Sequence, residues 1–135
     1  MNSRHGAAQY SAVRSHGLVA DASPTRLVQI MFEQILAHLA TAQGCMGRIR
    51  NNLPLNDVVT KGKAMSKAIR LINQLNNTLD MERGQKIAEN LRALYVYMLA
   101  RLTTANVTND PAIVAEVASL TQKVKTGWDQ IVEHQ

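Results

Sequence analysis

Four histidines and a single cysteine are the side chains best suited to hold a metal or attack an electrophile, and their spacing gives them no shared task. His5, His16, His38 and His134 are scattered, Cys45 stands alone, and no Glu-x-x-His pair of the kind used in di-iron bundles occurs. A phosphate-cradling glycine loop, a nucleophile elbow and a convincing pair of facing carboxylates are all missing. Neither an enzyme nor a cofactor or metal is therefore expected. Cys45 lies between Gly44 and Gly47 and reads as a small core residue rather than a nucleophile. It excludes an intramolecular disulfide, which favours the cytoplasm over a secretory route.

Charge comes next among the features that could do chemistry. The net charge is +5 and the pI about 9.7. Lys61, Lys63, Lys67 and Arg70 form the densest basic group, and helical spacing brings Lys63, Lys67 and Arg70 to one side. Nucleic-acid binding would normally add aromatic platforms or a docking motif, but Tyr10, Phe32, Tyr95, Tyr97 and Trp128 do not cluster with the lysines. A solvated helix face is the plainer reading, with a basic nucleic-acid-binding bundle as a distant alternative.

The elements that would carry these residues are all helical. At 135 residues, 46% of them hydrophobic, the chain suits one domain with its own core. No stretch approaches the roughly 18 apolar residues of a membrane span, and residues 1–22 lack the apolar run of a signal peptide. Membrane insertion is not expected. The longest unbroken helical pattern runs from Asp80 to Asn106, and the chain is expected to be organised around it. Ile87, Leu91, Leu94, Met98 and Leu102 recur at three- and four-residue steps, and Tyr95 and Leu99 widen the stripe toward a second neighbour. The charges at Glu82, Arg83, Lys86, Glu89, Arg92 and Arg101 fall mostly on the other face, which should meet water.

Three further helices follow from start signals and stripes. Ser23-Pro24 pairs an N-cap hydroxyl with a proline at the first helical position, and Leu27, Val28, Met31, Ile35, Leu39, Ala42, Met46 and Ile49 follow as a stripe. That helix ends at Asn51-Asn52-Leu53-Pro54; Gly44 and Gly47 permit a bend or a close approach, or are simply tolerated. The next runs from about Leu55 or Asp57 to Thr78, with one seam through Val58, Met65, Ile69, Ile72 and Leu79 and another through Ala64, Ala68, Leu71 and Leu75. Two seams fit a central bundle position, or a bundle position plus an outer groove. Asp110-Pro111 starts the last helix, whose face holds Ile113, Val117, Leu120, Val124 and Ile131, with Gly127 leaving room beside Trp128. The fold class is thus all-α: an antiparallel up-and-down four-helix bundle over residues 23–135. Residues 1–22 form a mobile segment with a short extra N-terminal helix around Tyr10 and Val13. Wide apolar stripes on a small helical body suit recognition of another chain's helix, as a generic adaptor or dimerisation module would use them.

Several segments, in order, resemble the FliS family of flagellar export chaperones. Tyr10-x-x-Val13 is similar to its tyrosine segment, Ala22-Ser23-Pro24-x-x-Leu27-Val28 to its helix start, and Thr78-Leu79-Asp80 to the end of its middle helix. The best match is Ile87-Ala88-Glu89-Asn90-Leu91-Arg92-Ala93-Leu94-Tyr95-Val96-Tyr97-Met98, followed by Arg101-Leu102 and Ala105-Asn106. Departures are Met31-Phe32-Glu33-Gln34 where the family often has Leu-Tyr-Asp-Gly, Gly84-Gln85 where it usually has two glycines, and a basic rather than acidic balance.

The resemblance implies a cytoplasmic, non-enzymatic chaperone. It would bind the C-terminal helical segment of flagellin, prevent premature polymerisation and assist delivery to the flagellar type III export apparatus, with an export-gate component as a further partner. It implies a client groove formed by Leu27, Met31, Ile69, Ile72, Leu75, Leu94, Tyr95 and Met98, residues that would serve equally as plain core. Tyr10 and Val13 would form a flap over that groove. Ser23, Pro24, Asn90 and Arg101 match structural motif positions. A domain-swapped homodimer would arise if the N-terminal segment exchanged.

Overall fold

A computed structural model describes residues 23–52 and 54–133. Four helices make up almost all of it: α1 (Pro24–Asn52), α2 (Leu55–Asn77), α3 (Met81–Thr108) and α4 (Pro111–Glu133). The helix expected around Tyr10 and Val13 lies outside the described residues.

Local chemistry sets three of the helix starts. The Ser23 hydroxyl accepts from the Arg26 amide at 3.2 Å, and Pro24 gives up no intrahelical bond because a first-turn N–H has no partner to lose. Asp80 caps α3 through bonds from the amides of Glu82 (3.2 Å) and Arg83 (3.0 Å). Asp110 does the same for α4 by accepting from Ala112 at 3.0 Å. α3 runs two residues past the expected Asn106 and stops at Asn109, whose left-handed backbone (φ 52°) returns its N–H to the Ala105 carbonyl.

The bundle closes in a ring, each helix packing on two others: α1 on α2 and α4, α3 on α2 and α4. Side-chain bonds show the antiparallel sense. Trp128 near the end of α4 donates its indole N–H to the Thr25 carbonyl at the start of α1 (2.9 Å), and Gln29 donates to Asp129 at 2.7 Å. Arg48 late in α1 meets Asp57 early in α2 at 3.0 Å. Glu116 early in α4 meets Arg101 late in α3 at 2.8 Å. The expected up-and-down bundle is what forms.

Its interior is not organised around the helix that the longest pattern suggests. α1 supplies eleven buried apolar residues, among them Leu27, Met31, Phe32, Ile35, Leu39 and Met46, whereas α3 buries only Ala88, Tyr95, Met98, Leu102 and Ala105. The reason is the width of the α1 stripe, which adds Ile30 and Phe32 and so serves both neighbours at once. Gly44 and Gly47 interrupt nothing: an added Cβ at Gly44 would make only an ordinary contact with the Arg48 guanidinium, and one at Gly47 would meet nothing within 4 Å. An added Cβ at Gly127 would likewise meet nothing within 4 Å outside its two chain neighbours.

The pattern from Asp80 to Asn106 is also broken once. Gln85 has φ 46° and ψ −119°, so residues 81–84 form a separate first turn and the long helix restarts after the break. Gly84 is needed there, since a Cβ would lie 2.6 Å from the Ala88 Cβ.

Candidate functional site

The eight residues expected to form a client groove lie together, but inside the bundle. Leu27 and Met31 from α1, Ile72 and Leu75 from α2, and Tyr95 and Met98 from α3 are buried members of one core, with Ile69 and Leu94 half-buried against it. Burial pushes the Tyr95 phenol up to about 12, so it stays neutral throughout the physiological range. Tyr10 and Val13 lie outside the described residues. Of the motif residues, Ser23 and Pro24 start α1, Asn90 is exposed on α3, and Arg101 ties α3 to α4 through Glu116.

The surface that stands out lies on the opposite side of α3. A helix buries one stripe, and the residues half a turn away must face outward. For α3 those are Ala93, Val96, Tyr97, Ala100, Thr103, Thr104 and Val107, all exposed. Val96 is 53% exposed, Tyr97 44% and Val107 78%. Water-facing helix surfaces are ordinarily rich in charge, yet none of these side chains is ionisable near neutral pH. At 1.5 Å per residue the strip is about 21 Å long, enough to lie along a second helix.

Only the first half of α3 keeps the charged face that the sequence suggests, at Glu82, Arg83, Lys86, Glu89 and Arg92. The legible signal was the composition of residues 93–108, where Arg101 is the only charged residue.

One edge of the strip is fixed by a polar cluster. The Tyr97 hydroxyl donates to Glu116 Oε2 at 2.6 Å and Arg101 Nε donates to Oε1 at 2.8 Å, so one carboxylate holds two α3 side chains against α4. The bonds from Tyr97 and then Arg101 hold the Glu116 carboxyl below its ordinary value, and the same bond to Glu116 raises the Tyr97 phenol. With its hydroxyl engaged, Tyr97 is still 44% exposed, and its chain neighbour Val96 is 53% exposed. An aromatic face bordered by small and β-branched residues is the sort of surface that anchors a partner helix.

The described residues offer little for other chemistry. No group of three His, Cys, Asp or Glu among them could hold a metal ion. Cys45 is buried, with the Arg48 guanidinium 3.6 Å from its sulfur. No helix among the described residues is long and apolar enough to cross a membrane.

A family model described as "Flagellar protein FliS" matches residues 6–135. The chain is 42% identical over 123 residues to the flagellar secretion chaperone FliSB of Pseudomonas aeruginosa, covering 91% of this chain and 92% of that protein. It is 39% identical over 132 residues to the flagellar secretion chaperone FliS of Salmonella typhimurium, covering 97% of this chain and 93% of the other. With the flagellar secretion chaperone FliS of Escherichia coli it shares 34% identity over 131 residues, covering 96% and 91%.

Proposed function

The chain belongs to the FliS family of flagellar secretion chaperones, and from that premise we propose that it binds the C-terminal helical segment of flagellin, keeps it from polymerising and assists its delivery to the flagellar type III export apparatus. The observation that carries this reading is the uncharged, exposed strip on α3, which lies on and just beyond the segment that best resembles the family.

The physics is that of coupled folding and binding. A polymerising subunit has apolar helical faces that pair with their own kind, and covering one of them with a prefolded helix blocks self-association at that surface. The client gives up conformational entropy as it orders, which limits affinity and leaves it releasable. No nucleotide is needed for such a cycle, and the site of action is the cytoplasm, where newly made flagellin awaits export.

Of the expected groove residues, Ile69 and Leu94 have surface to offer a client, while Leu27, Met31, Ile72, Leu75, Tyr95 and Met98 hold the helices in place from beneath. The flap carrying Tyr10 and Val13 would cover apolar surface until a client displaces it. An export-gate component is the further partner at delivery, and a homodimer would form only if the N-terminal segment exchanged between copies.

Isothermal titration with flagellin from the same organism, alongside flagellin lacking its C-terminal helical segment, tests the proposal. Saturable binding to the intact client alone is the expected result. Binding to neither, with this protein shown folded by circular dichroism, would overturn it.

A further inference from the structure

The lysine-rich part of α2 is used neither by the core nor by the α3 strip. Between Val58 and Thr78 the chain has no aspartate or glutamate. Lys61 turns inward, but Lys63, Lys67 and Arg70 are exposed, and with Val58, Val59 and Gly62 they line an open groove of about 470 Å³. The carboxylates that form ion pairs do so with Arg26, Arg48, Arg83, Arg101 and Lys125. None of the three groove cations is in an ion pair among the described residues. Their separations of three, four and seven residues stack like charges on one face, which weakens an isolated helix. The local potential reaches α1 as well: after burial itself, Lys67 is what holds the His38 imidazole below its ordinary 6.5.

We propose that this face docks an acidic amphipathic helix of a partner protein, with its carboxylates against Lys63, Lys67 and Arg70 and its apolar residues against Val58 and Val59. Charge complementarity selects the occupant. Three cations over about two helical turns match carboxylates placed at the same steps on a facing helix, and the exposed valines at one end match apolar residues beside them. A nucleic acid would set phosphates against those valines and find no aromatic ring on α2 to stack upon. A lipid surface would need a broader apolar face than α2 presents. The inference is independent of flagellin, because it concerns the outer face of α2 and holds whichever client α3 takes.

Fluorescence anisotropy tests it directly. The probe is a labelled helical peptide of about 18 residues, with glutamates at i, i+4 and i+7 flanked by leucine and valine, compared with the same peptide carrying glutamine for each glutamate. The acidic peptide is expected to bind saturably, more weakly as salt rises, and about tenfold more tightly than the glutamine peptide. Lys63→Gln/Lys67→Gln/Arg70→Gln should lose that preference while melting like the parent, and Val59→Ser should weaken both peptides. A Val96→Asp variant, altered on the α3 strip, should bind the acidic peptide as the parent does. Equal affinity for the two peptides, undiminished binding by the triple variant, failure of the acidic peptide to bind, or tighter binding of a DNA duplex or of phosphatidylglycerol vesicles would each overturn the proposal.

Discussion

Lys61 Nζ donates a 3.0 Å hydrogen bond to the main-chain carbonyl of Asn106, so a lysine of α2 closes the C-terminus of α3. The same ammonium donates to Asn109 Oδ1 at 2.9 Å, and Lys61 is only 9% exposed. Carbonyls in the last turn of a helix have no intrahelical donor, and the helix dipole makes that end a favourable place for a cation.

Lys61→Met keeps the length and apolar stem of the side chain and removes the charge and the donors. The carbonyl at Asn106 and the amide of Asn109 would then lose a charged partner in a nearly closed site, which typically costs about 1.5–3 kcal/mol. Urea denaturation followed by circular dichroism should show a lower midpoint with an unchanged slope. A midpoint equal to that of the parent would mean that Lys61 is merely accommodated.

Lys61 also marks where the sequence could and could not be read. Charge alone groups it with Lys63, Lys67 and Arg70, although its spacing to Ala64, Met65 and Ala68 places it on the buried stripe. Helix starts were legible at Ser23-Pro24 and Asp110-Pro111 because capping is local chemistry. The division of apolar residues between core and binding surface was not, since periodicity marks a face without saying what covers it. Ile87 lies on the α3 stripe with Leu91 and Met98, yet it is 72% exposed while its neighbour Ala88 is 3% exposed, so the buried line at that end of the helix runs through Ala88 instead. The strained break at Gln85 has only one sign in the sequence, the resemblance that puts a second glycine where this chain has Gln85; glutamine itself is an ordinary helix former and gives none.

That strain gives the second prediction. The backbone of Gln85 (φ 46°, ψ −119°) is one that glycine adopts freely and side-chain-bearing residues do not, at a cost of about 1–3 kcal/mol. Gln85→Gly removes that cost and adds roughly 0.5–1 kcal/mol of unfolded-state entropy, so a net stabilisation of about 1 kcal/mol is expected. Gly84→Ala should move the opposite way, because its methyl would press on Ala88. Thermal melts of the two single variants decide the matter; a fall in melting temperature for Gln85→Gly would contradict the account.

The α3 strip predicts a separation of binding from folding. Val96→Asp and Tyr97→Ala change exposed side chains, so melting should shift little, whereas affinity for flagellin should fall by tenfold or more if the strip is the contact. Leu102→Ala, in the core beneath, should instead cost about 2–5 kcal/mol of stability. Titration calorimetry and melting on the same three proteins give the comparison. Full affinity in both surface variants would move the client elsewhere on the bundle.

Glu116 supplies a prediction in pH. Hydrogen bonds from Tyr97 and Arg101 lower its folded-state pKa below the ordinary glutamate value of 4.5, so the folded protein favours the ionised form more than the unfolded chain does. The stabilisation is therefore present above about 4.5 and is lost as pH falls through the lower folded value. Tyr97 works in the other direction: its pKa is raised, so its contribution holds below the ordinary 10 and is lost as pH climbs past the folded value. Glu116→Gln removes the carboxylate from both relationships. The variant should melt below the parent near neutral pH, and the difference should close as the pH is lowered past the point where Glu116 of the parent takes up its proton. The Glu116 side chain is only half-buried, so the gap should be small and should shrink with added salt. Melting curves across the acid range, at low and high ionic strength, measure it; a gap that persisted unchanged into strong acid would show that packing rather than charge joins Glu116 to Tyr97 and Arg101.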